Sequence, residues 1–327
     1  MKLGWSGVSI SSSRLVYFCP FGVIVLVFAT AVNTLADLFY KLEERARPDL
    51  LMVRSGADFE YISASQFAKR IRRCAAGLQR LGIERGDRVG LISSNRPDWH
   101  VIDFACHLSG AILVPLFSTL TAAQVRFTFA DSGCKIVFVE GADQLEKVVS
   151  VRGDLPDLEG IILLSAGDGP DEFPARQDQN EGTAARSDLA FEELITAEEP
   201  TKDLPGPEGS DSVATIIYTS GTTGPPKGAV VAHRCLLGHL TGFEMSQNFF
   251  PQDGDLMWTP ADWAWTGGLL DALIPAWYYG CPVLGYDGGR FDADQACHMI
   301  ARYGVRNAFI PPTALKMMRQ VGDLRAL

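Results

Sequence analysis

Between Arg88 and Ser165 the chain alternates short apolar runs with helix-length segments, and few folds accept that rhythm. The runs are "RVGLIS", "AILVPL", "KIVFVE" and "GIILLS". Each is too short for a buried helix and rich in branched side chains, as buried strands are. Between them lie "RPDWHVIDFACHLSG", "TAAQVRFTFADSG" and "ADQLEKVVSV", all of helical length. Strands joined by helices pair in parallel, and a parallel sheet needs cover on both faces. The expected fold is therefore α/β, with mostly parallel sheets flanked by helices. Ligands in such sheets sit outside the carboxyl ends of the strands. Upstream, "ISASQF" predicts a helix start, with Ser63 as cap, Gln66 reaching back and Ile62 packing on Phe67. Phe67, Ile71, Cys74, Leu78 and Leu81 then share one face, and Gly82 ends the helix.

Charge narrows the partners. The 327 residues carry a formal charge of -10, yet residues 168–211 alone hold 13 acidic and 3 basic groups. The remainder balances, and no basic stripe runs through it, which argues against a nucleic-acid partner. Residues 166–187, rich in Gly, Asp and Gln, read as an exposed acidic loop. Seven cysteines without a CxxC pair read as reduced thiols of a cytoplasmic protein. Five histidines without a ligand spacing predict no protein-bound metal.

Residues 1–32 stand apart. Leu15 to Val32 is an apolar run without a charge, at the edge of membrane-spanning length. Three readings stay open: a membrane anchor, a signal segment, or a start codon placed too far upstream. The folded pattern begins at Asn33 and runs to residue 327.

The most specific stretch is "YTSGTTGPPKG", Tyr218 to Gly228, directly after the apolar run "ATIIY". Phosphate is held by backbone N–H groups, hydroxyls and a cation. Thr219, Ser220, Thr222 and Thr223 supply hydroxyls; Gly221 and Gly224 supply room; Lys227 supplies charge. The P-loop of the NTPases needs Gly before its Lys and Ser or Thr after it, whereas Pro226 and Gly228 flank Lys227. Downstream, "WTPADWAWTGGLLDALIPAWYYG" carries Trp258, Trp263, Trp265 and Trp277. Asp262 fits either a cap or a site group, and His233 in "VAHR" reads as a turn or cap residue.

"IIYTSGTTGPPKGAVVAHR" closely resembles the signature loop of the adenylate-forming acyl-CoA synthetases, the AMP-dependent synthetase and ligase superfamily. The front of the chain, "NTLADLFY" to "DQLEKV", looks like long-chain fatty acid ligases. The later part, to "NAFIPPTALKMMRQV", looks like acetate and medium-chain enzymes. The resemblance implies that a carboxylate attacks the α-phosphate of ATP, bound with Mg²⁺, to give an acyl-adenylate. Coenzyme A then displaces AMP. It further implies that Thr219, Ser220, Gly221, Thr222, Thr223, Gly224 and Lys227 grip the β- and γ-phosphates. Trp263, Trp265, Thr266 and Gly267 become candidates for the acyl and CoA pocket, Trp277 a core residue, and Thr313 a structural one.

The family also carries a Tyr-Gly-x-Thr-Glu stretch for adenine, a ribose-binding aspartate and a C-terminal domain with the catalytic lysine. None of these strings follows Gly228 here. The expectation is an N-terminal fragment of a synthetase that makes no acyl-CoA by itself. Two other readings are a noncatalytic nucleotide-binding remnant and an adenylating enzyme of another branch. The aromatic block and "NAFIPPTALKMM" favour the acyl-CoA ligases over that branch.

Overall fold

The computed structural model describes residues 32–55, 58–164, 188–196, 204–219, 224–285 and 291–322, with the backbone of 15–18 and 24–27. Two sheets organise it. The larger holds, in spatial order, β11 (Lys227–Ala232), β10 (Val213–Thr219), β6 (Ile112–Leu116), β5 (Arg88–Ile92), β7 (Cys134–Glu140), β8 (Gly160–Leu164) and β9 (Leu189–Ala190). All neighbours run parallel except β10 and β11. The smaller holds β14 (Asn307–Ala308), β12 (Met257–Trp258), β13 (Val283–Gly285), β3 (Leu51–Ser55) and β4 (Asp58–Ile62), parallel except for the β3–β4 pair.

Strand periodicity divides the core into layers. Along β7, Ile136 and Phe138 face one side, with Phe67 of α2 (Ala64–Arg80) and Phe104 of α3 (Pro97–Ser109). Val137 and Val139 face the other, with Phe129 of α4 (Ala122–Ser132) and Val148 of α5 (Gly141–Val151). The second sheet divides likewise. Leu51, Val53 and Val283 join the first cluster, whereas Met52, Trp258 and Leu284 pack on Met299 of α10 (Ala293–Tyr303). The order is thus helix, sheet, helix, sheet, helix, and the central helical layer also takes Leu38 and Phe39 of α1 (Leu35–Arg45).

The expected helix start at Ser63 is present, with both hydrogen bonds of the capping box. The four strands and three helices expected between Arg88 and Ser165 are also in place. Helix α1, the β3–β4 hairpin and the second sheet go beyond those expectations. Within the apolar N-terminal run, β1 (Leu15–Phe18) and β2 (Ile24–Val27) pair antiparallel. No helix among the described residues is long and apolar enough to cross a membrane. The acidic loop at 166–187 lies outside the described residues.

Helix α3 sits in the middle layer, and every residue from Asp98 to Ser109 is buried. Its carboxylates face cationic or imidazole partners inside the protein, whereas Trp99 Nε1 and Ser109 Oγ are buried without a hydrogen-bond partner. Asp98 accepts from Arg70 Nε and Arg96 Nη2, each at 2.9 Å. Arg70 also pairs with Glu192 of α6 (Phe191–Ile195), which ties α2, α3 and α6 together. Further along α3, His107 Nε2 lies 3.0 Å from Asp103 Oδ1. The His107 ring stands 5.1 Å from that of His233, whose Nδ1 accepts the Leu35 N–H at the start of α1. His233 thus serves as a cap, as its sequence context suggests.

Burial disfavours the charged form of His233 and His100. Desolvation, helped by the nearby His107 ring, pushes His233 down to about 3, and desolvation also lowers His100. Burial opposes the Asp103 charge, but the His107 and His100 rings outweigh it and hold that carboxyl at about 2. A histidine with a lowered folded pKa binds its proton more readily in the unfolded chain. Its neutral form then stabilises the fold above the unfolded pKa, and that stability falls as pH drops through about 6.5. For His233 the loss between pH 7 and pH 5 is about 2 kcal/mol. Asparagine at 233 keeps an acceptor and removes the titration. The expected outcome is that His233→Asn flattens the pH dependence of urea unfolding by about that amount. An unchanged slope between pH 7 and pH 5 would rule the assignment out.

Candidate functional site

The parallel strands β10, β6, β5 and β7 place their carboxyl ends on one side of the larger sheet. Two features singled out from sequence meet there. The first is the Ser/Thr/Gly loop. It leaves β10 at Thr219 and returns as β11 at Lys227, which pair directly across the ladder. Lys227 is exposed, and Gly224 adopts φ +93°, a conformation that favours glycine. The loop is therefore a hairpin connection, with its cation and one hydroxyl residue held at the mouth by strand pairing. Ser220, Gly221, Thr222 and Thr223 lie outside the described residues. Tyr218, just before the mouth, donates to Asp131 Oδ2 at 2.6 Å; burial and that carboxylate raise its phenol pKa.

The second feature is the aromatic block. Ser93, Ser94 and Asn95 follow β5 at its carboxyl end. The Asn95 side chain donates to Ala261 O and accepts from Trp263 N, both at 2.9 Å. It clasps the segment 261–263 to the end of β5. Only β6 separates β5 from β10, so clasp and hairpin mouth stand two strand spacings, about 10 Å, apart. Glu140, at the end of β7, accepts from Ser94 N and Ser94 Oγ at 2.7 Å and from Ser93 Oγ at 3.1 Å. This braces the same loop from the other side. Nothing in the sequence reading marks Asn95 or Glu140; a run of polar residues between a strand and a helix-starting proline is their one local signal.

The pocket candidates separate by burial. Trp263 is buried, with its ring 4.4 Å from His100 and 6.2 Å from Trp99. Trp265 is 41% exposed and Thr266 is partly exposed. Gly267 lies in the short α8 (Thr266–Gly268), where a Cβ would come within 2.8 Å of the Phe309 ring. The space beside Gly267 is thus taken by a protein ring. Asp262 Oδ1 accepts from Ala264 N at 2.9 Å and shapes the turn between the two tryptophans. Trp277 is fully buried and donates to Leu50 O at 3.3 Å, a core role. Thr313 lies in the first turn of α11 (Pro312–Met318), which Pro311 and Pro312 open.

Comparison with known proteins bears on the family and the fold. Long chain acyl-CoA synthetase 7 of Arabidopsis thaliana is 29% identical over 233 residues, which cover 71% of this chain and 32% of the relative. Long-chain-fatty-acid–CoA ligase FadD15 of Mycobacterium tuberculosis is 33% identical over 201 residues, covering 61% and 31%. The human mitochondrial acyl-coenzyme A synthetase ACSM4 is 27% identical over 282 residues, covering 85% and 45%. The chain thus spans about a third of the length of the first two relatives. Among solved structures, the anthranilate CoA ligase AuaEII superposes with a TM-score of 0.72 at 22% identity, covering 90% of this chain and 52% of that one, which shows a shared fold. The sequence model of the AMP-binding enzymes matches residues 42–327, and the chain belongs to that family.

Proposed function

We propose that this chain is the nucleotide- and acyl-binding part of an ATP-dependent carboxylate–CoA ligase that works through an acyl-adenylate. The observation that carries the reading is the placement of the 219–227 hairpin mouth and the clasped aromatic segment at carboxyl strand ends one strand apart. A carboxylate is a poor acyl donor because its leaving group is oxide; adenylation makes AMP the leaving group. The attack drives an anion toward a polyanion, so the site must screen charge. In this reading Thr219, Ser220, Gly221, Thr222, Thr223 and Gly224 offer amides and hydroxyls to the β- and γ-phosphates, and Lys227 offers a point charge. The attacking carboxylate is already anionic, so adenylation needs no general base, and His233 is buried and occupied elsewhere.

Among the described residues no group of three His, Cys, Asp or Glu side chains could hold a metal ion. The Mg²⁺ of the reaction would therefore arrive with the nucleotide, and no step here runs through it. Trp263 forms the fixed back of the acyl and CoA pocket, with Trp265, Thr266 and Gly267 as its accessible part. The substrates are a small-molecule carboxylic acid, ATP and coenzyme A. Membrane contact through residues 15–32 has no support among the described residues, and the reading does not need it.

The function is tested by AMP release from ATP that depends on both acid and coenzyme A, with the chain continued by the remaining length of a relative. AMP release without either co-substrate would refute the ligase reading. The phosphate assignment is tested on the chain itself by titration with ATP and with inorganic pyrophosphate. A charge-assisted hydrogen bond contributes about 1.5–3 kcal/mol. Lys227→Ala is therefore expected to weaken both ligands by roughly 10- to 150-fold. Unchanged affinities would make Lys227 a solvated strand residue only.

Burial separates the two tryptophans. Trp263→Ala is expected to lower the unfolding free energy by about 3–5 kcal/mol. Trp265→Ala should cost less than about 1 kcal/mol and raise KM for the acid in the ligase assay. The assignment fails if Trp265→Ala unfolds the chain or leaves KM unmoved.

A further inference from the structure

Cys235, His239 and Asp271 form a side-chain relay that the proposed ligase chemistry leaves unused. Cys235 and His239 stand one turn apart on α7 (Cys235–Ser246), where residues four apart share a face. Asp271 comes from a π-helical turn, Leu269–Leu273, packed against α7. Cys235 Sγ lies 3.5 Å from His239 Nε2. On the other side of the ring, Nδ1 lies 2.5 Å from Asp271 Oδ1 and 3.4 Å from Leu270 O. Both of those oxygens are acceptors, so Nδ1 carries the proton and Nε2 turns a lone pair toward the thiol. Cys235 is also the first residue of α7, whose N-terminus no side chain caps. The positive end of the helix therefore favours negative charge on that sulfur.

We infer that Cys235 is a base-assisted nucleophilic thiol that accepts acyl groups from thioesters. Sγ attacks the thioester carbonyl carbon while His239 Nε2 takes the thiol proton. The bond from that carbon to the departing sulfur breaks, and the imidazolium returns the proton to the leaving thiol. One thioester is exchanged for another, with no oxidant or reductant. Asp271 holds the ring in place and stabilises its charged form, as a carboxylate does behind any imidazole base. Burial and the Asp271 charge raise the Cys235 pKa, so little thiolate stands free. That favours a reaction in which the proton leaves at the moment of attack and is then needed by the leaving group. Selectivity follows from exposure. Cys235 is partly exposed, whereas Cys74, Cys106, Cys134, Cys281 and Cys297 are buried.

The test goes beyond the ligase reading and is independent of it, because the thioester is supplied ready-made. The whole chain is incubated with acetyl-coenzyme A at neutral pH, and every cysteine-containing peptide is followed by mass spectrometry. The Cys235 peptide is expected to gain one acetyl group, removable by hydroxylamine. His239→Gln should slow the gain by about 100-fold, the scale of general acid–base assistance, while the buried cysteines stay unmodified. Asp271 is 43% exposed and can be changed without opening the core, so Asp271→Asn gives a second reading should the histidine variant lose its fold. It too should slow acetylation while leaving iodoacetamide access to Cys235 intact. Acetylation at the unaltered rate in the folded variant overturns the proposal. So does a Cys235 that reacts with iodoacetamide but takes no acetyl group.

Discussion

Helix α3 has a sheet on each side and no solvent face, and much of the molecule is arranged around that fact. A helix enclosed in this way must pair every polar side chain within the protein, or pay the full cost of desolvation. Asp98 meets that demand through two arginines, and Asp103 through histidines of its own helix. The same pairs carry long-range order. The Asp98 cluster reaches α2 and α6, and the Asp103 cluster reaches His233, just beyond β11, and through it the start of α1. Segments distant in sequence are thereby held to one central element.

The candidate site gains from this rigidity. Its fixed parts, the Asn95 clasp and the buried Trp263, rest directly on α3 or on the loop that leads into it. Trp265, 41% exposed, projects from that frame. A reaction that brings two anions together needs fixed dipoles to screen charge without reorganising and an accessible mouth to admit nucleotide. In the proposed reading, the Asn95 clasp and the hairpin ends at Thr219 and Lys227 serve those two needs. The Cys235, His239 and Asp271 cluster draws on a different element pair, which is why it can be probed apart from the candidate site.

Much of the larger sheet was legible in the sequence because its strands are buried on both faces and read as continuous apolar runs. The capping box at Ser63 was legible because it is local chemistry. The second sheet was not, for a physical reason. Strands β12, β13 and β14 are two or three residues long and pair through contacts distant in sequence, so no periodicity accumulates. At the site, Lys227 and the loop were marked by the full string Tyr218 to Gly228 and by its place directly after an apolar run. The separate roles of Trp263 and Trp265 were not, since two tryptophans two residues apart look alike until one is buried and the other is not. Asn95 escaped notice because its value lies in two hydrogen bonds to backbone 166 and 168 residues away.

The π-helical turn at Leu269–Leu273 bears on how this region could change over generations. Such a turn is the trace of one extra residue accommodated in an α-helix, and it tends to survive where function benefits from the bulge. Here it presents Asp271 to His239 and follows directly on the segment that carries Trp265 and Thr266. Losing a single codon from this stretch would restore a regular helix and turn everything before it by about 100°, one residue's share of a helical turn. The relay and the aromatic wall would be re-aimed together. Length at this point is thus under a constraint that side-chain identity alone would not reveal, and drift should tolerate substitutions here more readily than gaps.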